Sequence, residues 1–146
     1  MSNNKIETKK NTAYDFTLAK DTMKIAEQEY GTDAEVRFTI FTSCIGLLAR
    51  KENNVTGVHL VMFSDTGNVF DNEAAEAAVA CLPVGYTSVV VIGQVNMWED
   101  NLNGPYNYLL SLLNNPNTID KNDGIYGGRV LNQKFQYYDN GMCMNV

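Results

Sequence analysis

The chain has one histidine, three cysteines and three prolines among its 146 residues, and each scarcity closes off a class of protein. A single imidazole excludes metal sites built on histidine pairs. Cys44, Cys81 and Cys143 lie far apart without C-x-x-C spacing, so neither a disulfide framework nor a zinc knuckle is expected and reduced thiols are the default. Basic residues are also sparse: 11 Lys and Arg against 17 Asp and Glu give a net charge of -6, and the longest basic cluster is the pair Lys9-Lys10. No electrostatic footprint for nucleic acid or an anionic membrane follows. No apolar run approaches the roughly 20 residues that span a bilayer, and "MSNNKIETKKNTAYD" lacks the apolar core of an export signal. The expectation is a cytoplasmic protein, or one exported to a host cell without an N-terminal signal peptide.

What is present is ordinary globular material, 45% hydrophobic and 19% charged. A chain of this length suits one domain that buries roughly two thirds of its unfolded surface. Residues 1–12 are polar and read as a flexible N-terminal segment, leaving 13–146 as a single domain. No repeat or linker interrupts it, and no heptad signals a coiled-coil assembly.

Along the chain, Phe16, Ala19, Met23, Ala26 and Tyr30 fall at spacings of three and four, which predicts an amphipathic helix ended by Gly31. "EVRFTIFT" is apolar and β-branched, a strand. "CIGLLAR" and "VTGVHLVMF" flank the turn-forming "KENN" and predict a hairpin in which Arg50 opposes Val55 and Gly46 opposes His59. "DNEAAEAAVACL" reads as a helix capped by Asp71 or Asn72, with Cys81 inside it and Pro83 after it. "TSVVVIGQV" has the continuous apolar pattern of a strand covered on both faces, and "NGPYNYLLSLLNN" starts a helix with Pro105 in its first turn. The tail gives a glycine-punctuated loop, a strand, a turn at Asn140-Gly141 and a last short strand. The order helix, three strands, helix, strand, helix, two strands predicts an α+β (mixed α/β) single domain, a largely antiparallel sheet or sandwich with flanking helices.

The chemistry-bearing residues concentrate in "FTSCIGLLARKENNVTGVHLVMF", where His59 follows Cys44 by 15 positions. Side chains alternate along strands, so the hairpin register turns Cys44 and His59 to the same face. A thiol attacking a carboxamide needs a base to take its proton and an acid to protonate departing ammonia, and one imidazole can serve both steps. Backbone N–H groups at the turn around Ser43-Cys44 are candidate oxyanion donors. Thr39, Thr42 and Ser43 are the nearby hydroxyls that can orient the imidazole, a role a backbone carbonyl can also fill.

The segment "TSCIGLLARKENNVTGVHLVMFS" resembles the nucleophile region of the chemoreceptor glutamine deamidase family CheD, in which a glycine-serine-cysteine turn leads through a hairpin to a catalytic histidine. The layout is similar to that of toxin deamidases of the cytotoxic necrotizing factor type. The likeness continues through "VVVIGQVNMW" to "NDGIYGGRV" and covers residue 35 to the end. It implies a CheD-like fold and hydrolysis of a protein glutamine to glutamate through a thioester on Cys44, with His59 as base. It implies no cofactor or metal, and a protein substrate presenting a surface glutamine, with an effector or toxin among the roles it opens. The family's threonine six residues before the cysteine falls on Phe38, so Thr39 is the first candidate for the orienting group and Thr42 the second. The alternative is a catalytically inactive binding or regulatory protein on the same scaffold.

Other motifs carry less. In "DKNDGIYG", Asp120, Asn122 and Asp123 miss calcium-ligand spacing and Leu131 stands where a bidentate glutamate belongs, so they read as turn residues. Gly124, Gly127 and Gly128 read as backbone geometry near the rim of a cleft. Trp98 and Tyr138 are candidates for a protein-docking surface if exposed.

Overall fold

The computed structural model describes residues 14–146. The N-terminal segment 1–12 lies outside the described residues, as does residue 13. The elements run β1 (Thr17–Leu18), β2 (Glu29–Asp33), β3 (Glu35–Arg37), β4 (Ile45–Lys51), β5 (Asn54–Leu60), α1 (Asn72–Ala80), β6 (Ser88–Gly93), α2 (Val95–Asn101), α3 (Asn103–Leu112), β7 (Asn117–Asp120), β8 (Tyr126–Leu131), β9 (Lys134–Asp139) and β10 (Met142–Asn145). They build an α+β fold with two sheets, a six-stranded one ordered β1-β2-β5-β4-β6-β7 and a four-stranded one ordered β10-β9-β8-β3. Only the β1–β2 and β6–β7 pairs within these sheets are parallel.

The hairpin at the centre of the larger sheet forms as its sequence dictates. Arg50 pairs with Val55 and Gly46 with His59. Lys51 and Asn54 also pair, so "KENN" shortens to a two-residue connection, with Glu52 taking the left-handed conformation at φ 56°. One face of β4 carries Gly46 and Leu48 towards the four-stranded sheet. A Cβ on Gly46 would come within 2.6 Å of the Phe38 ring, and one on Gly128 of β8 within 3.2 Å of Leu48. Ile45, Leu47 and Ala49 point the other way and are equally buried. Ala74, Ala75 and Ala78 of α1 and Tyr106 and Leu109 of α3 belong to the same core, so β4 and β6 are enclosed on both faces.

The N-terminal part departs from the helix that its spacing predicts. Residues 14–31 hold β1, a chain of turns and the first half of β2. Local polar groups compete with helical hydrogen bonding: Asp21 accepts from the Met23 and Lys24 amides, and Glu29 accepts from Ala26. Tertiary pairing decides the outcome. Thr17 and Leu18 lie parallel to Glu29 and Tyr30, while the Ile25 amide bonds to Arg37 and its carbonyl accepts from Thr39. Gly31, expected to cap the helix, sits mid-strand opposite Gly57, with Thr22 where a Cβ would point.

Further along, α1 has Asp71 as its cap, whose carboxylate accepts from the Ala74 amide at 2.8 Å, and Cys81 is the C-terminal cap residue instead of lying inside the helix. Three short elements escape the sequence reading. The seven-residue α2 and four-residue β7 are too short for periodicity to register, and a turn at Asn132-Gln133 divides the expected strand into β8 and β9. "EVRFTIFT" contributes only the three residues of β3, and it does so in the second sheet; Phe38 then bridges Ile25 and the chain bends at Thr39.

Candidate functional site

Cys44 sits one residue before β4, and His59 lies near the end of β5 beside Gly46. Extended one step beyond its last pair, Ile45–Leu60, the register sets Cys44 opposite Val61, the diagonal neighbour of His59; no hydrogen bond joins the thiol to the imidazole, since Sγ donates to the Thr42 carbonyl and Nε2 has no partner among the described residues. The rings of Phe38 and Phe41 fill the space that the missing Gly46 side chain leaves. Their centroids stand 5.5 and 4.8 Å from the imidazole. This wedge buries His59 fully and leaves Cys44 1% exposed.

The imidazole is oriented by a backbone group. His59 Nδ1 lies 2.9 Å from the Ile25 carbonyl. A carbonyl only accepts, so Nδ1 carries the proton, and in the neutral ring Nε2 presents a bare lone pair. Nε2 is buried without a hydrogen-bond partner among the described residues. Thr39 reaches the same Ile25 carbonyl through its own amide. Thr42 is exposed, and its contact with Cys44 is through its carbonyl, to which the thiol donates at 3.3 Å. The orienting contact on Nδ1 therefore comes from Ile25, a residue that the threonine-centred reading passed over. Its signal was invisible in sequence because any residue type supplies a carbonyl.

Both groups are neutral near pH 7. Burial pushes the Cys44 thiol up to about 11, with Glu27 and Asp123 adding to the effect. Burial pulls His59 down to about 4, against the favourable Ile25 contact. Tyr14 stands nearby with a buried, unpartnered hydroxyl; burial first, then Cys44 and Glu27, hold it far above its ordinary range.

The turn carrying the thiol is tied from several sides. Ser43 adopts φ 61°, a left-handed conformation uncommon outside glycine. Its amide donates to Asp123 Oδ1 at 2.8 Å, and its carbonyl accepts from Trp98 Nε1 at 3.0 Å. The Gln94 amide donates to the Cys44 carbonyl at 3.0 Å while the Gln94 side chain donates to Asp123 at 3.3 Å. Gly93 permits this approach, because at φ 127° a Cβ would stand 2.5 Å from the Cys44 carbonyl oxygen. The Phe41 amide bonds to Gly124, and Gly127 lets β8 approach β3 where a Cβ would meet the Val36 carbonyl. The glycines of "NDGIYGG" are thus backbone geometry, whereas Asp123, expected to be a turn residue, is a ligand of the Ser43 amide. Trp98 is fully buried as part of this scaffold and offers no docking surface, and Tyr138 is half-buried with the Arg37 guanidinium 3.8 Å above its ring.

Among the described residues, no group of three or more His, Cys, Asp and Glu is arranged to hold a metal ion, and no helix is long and apolar enough to cross a membrane.

No protein-family model and no curated protein matches the sequence. Among solved structures, the C-terminal domain of CNFy from Yersinia pseudotuberculosis is a distant neighbour, with a TM-score of 0.36 and 11% identity over 80% of this chain. The match spans 50% of that chain.

Proposed function

We propose that the protein is a cysteine-dependent glutamine deamidase acting on a protein side chain, with Cys44 as nucleophile and His59 as base. The observation that carries this reading is the state of the imidazole: fixed through Nδ1, neutral, and holding a bare Nε2 on the face it shares with Cys44. As sulfur attacks the amide carbon, the thiol proton passes to Nε2. The C–N bond then breaks as His59 returns that proton to the departing ammonia, leaving a thioester. Water attacks the thioester, its proton passes to Nε2, and release of glutamate restores the thiol. With the Ser43 amide engaged by Asp123, the oxyanion donor is the Cys44 amide. Burial keeps the imidazole unprotonated throughout the neutral range and by the same cause makes it a weak base, so the proton leaves the thiol only as sulfur bonds to the amide carbon.

The test is incubation of a denatured and a native cell lysate with the protein, followed by peptide mass spectrometry for glutamine converted to glutamate. Conversion at defined glutamines is expected with the native chain, abolished by Cys44→Ser and reduced by about 10²–10⁴ with His59→Gln. One observation favours a second reading, a binding protein that retains the pair as core: the thiol donates to the Thr42 carbonyl and its ionisation is suppressed. That reading predicts no conversion by the native chain and an equal effect of both substitutions on stability alone.

A further inference from the structure

Three hydrogen bonds hold the Ser43 amide, the Ser43 carbonyl and the Cys44 carbonyl, and the charged partner among them is Asp123. Its Oδ1 takes the Ser43 amide across 80 positions of sequence and also accepts from the Gln94 side chain, whose own amide holds the Cys44 carbonyl. Asp123 itself is exposed. Ser43 stands at φ 61°, a conformation a serine does not choose freely, and it holds that conformation with its amide on Asp123 and its carbonyl on Trp98.

From this geometry we infer that Asp123 is the positioning residue of the nucleophile turn: it engages the Ser43 amide, holds Ser43 left-handed and so leaves the adjoining Cys44 amide as the donor facing a bound carboxamide. The inference rests on the deamidase reading for its catalytic meaning, but the positioning itself is a property of the resting protein. The connection between β7 and β8 thereby becomes a part of the site. Gln94 extends the same device, because its side chain reaches Asp123 while its amide holds the Cys44 carbonyl.

An acceptor oxygen is what the role requires, so Asp123→Asn retains it and Asp123→Ala removes it. The first readout is amide hydrogen exchange in the peptide spanning Thr42 to Ile45. Slow exchange is expected in the native chain and in Asp123→Asn, and exchange faster by about tenfold or more in Asp123→Ala, as for an amide released from a hydrogen bond. The second readout is the pH profile of Cys44 alkylation by iodoacetamide, scored by peptide mass spectrometry. The charges that face the thiol are Glu27 from the β1–β2 connection, Asp123, and Tyr14 at high pH. Loss of the Asp123 charge lowers that midpoint in both variants through its field alone, so the positioning role is read from the difference between them: a rise in labelling rate at fixed pH in Asp123→Ala beyond that in Asp123→Asn.

Unchanged exchange in Asp123→Ala overturns the inference. So does exchange in Asp123→Asn as fast as in Asp123→Ala, since that removes the acceptor oxygen as the cause. Neither readout needs turnover. Failure of the deamidase reading would appear separately, as a native chain with slow exchange that converts no glutamine.

Discussion

At the scale of single residues, the site depends on an absence. Gly46 has no side chain, and into that space come the rings of Phe38 and Phe41, which wall the imidazole of His59 on two sides. A Cβ there would stand 2.6 Å from Phe38 and 2.9 Å from Phe41, closer than packed carbon atoms come. Gly46→Ala is therefore expected to destabilise the protein by about 1–3 kcal/mol through overpacking, even though the strand backbone tolerates alanine. The displaced rings would also admit water to His59. The check is a denaturation curve together with the alkylation rate of Cys44, which should rise as the fold weakens. A variant as stable as the native chain and equally slow to alkylate would show that the wedge has slack. The same scale explains what sequence can and cannot say about the pair. Cys44 and His59 were legible because hairpin parity is arithmetic, and the observed register reproduces it position by position. Ile25 was illegible because it acts through its carbonyl, and Asp123 because its partner lies 80 positions away.

At the scale of elements, those that could be read are the ones whose side-chain pattern and local signals agree. The β4–β5 hairpin has apolar strands around a turn-forming connection, and α1 has an alanine-rich face behind an aspartate cap. Replacing that cap, Asp71→Ala, leaves the Ala74 amide without its acceptor and should cost about 1 kcal/mol, seen as a lowered denaturation midpoint at unchanged slope. Midpoints that coincide with the native chain would mean that water replaces the cap without loss. The N-terminal part shows the opposite case. Its apolar residues fit a helical period, yet Ile25 is fully buried because its backbone bridges β3 and the chain beyond it, hydrogen bonds that a helix would have spent internally. Periodicity reports which residues seek burial, not which backbone partners are available, and here the partners were distant strands. That misreading also hid the contact on His59, since the Ile25 carbonyl is open to Nδ1 only because this segment is not helical. The β6–α2 junction is similar: Gly93 looks like an ordinary strand end, but its φ of 127° and its close approach to the Cys44 carbonyl make it part of the turn that carries Cys44. Gly93→Ala should strain both, lowering stability and shifting Cys44, with the loss visible as faster exchange at Ser43 and Cys44.

At the scale of the whole molecule, a buried lone histidine ties folding to pH. Burial lowers His59 from 6.5 in the unfolded chain to about 4 in the folded one. Between those values the unfolded chain binds a proton that the folded chain does not, so stability falls as pH is lowered through this window. The slope can reach about 1.4 kcal/mol per pH unit, and the full difference, roughly 3 kcal/mol, is expressed below the folded value. Above 6.5 the imidazole is neutral in both states and contributes no pH dependence. Because the chain has one histidine, the upper half of the window belongs to this residue alone, before most carboxylates begin to titrate. Urea denaturation at about pH 7, 6 and 5 should show the native midpoint dropping with acidification and His59→Gln holding nearly level. Parallel curves for the two proteins would mean that the folded imidazole takes up its proton as readily as the unfolded one, which would place water at Nε2. In that event the lone pair would be solvated and the imidazole a stronger base than its burial implies, and a bound carboxamide would have to displace that water before the Cys44 thiol could pass its proton to Nε2.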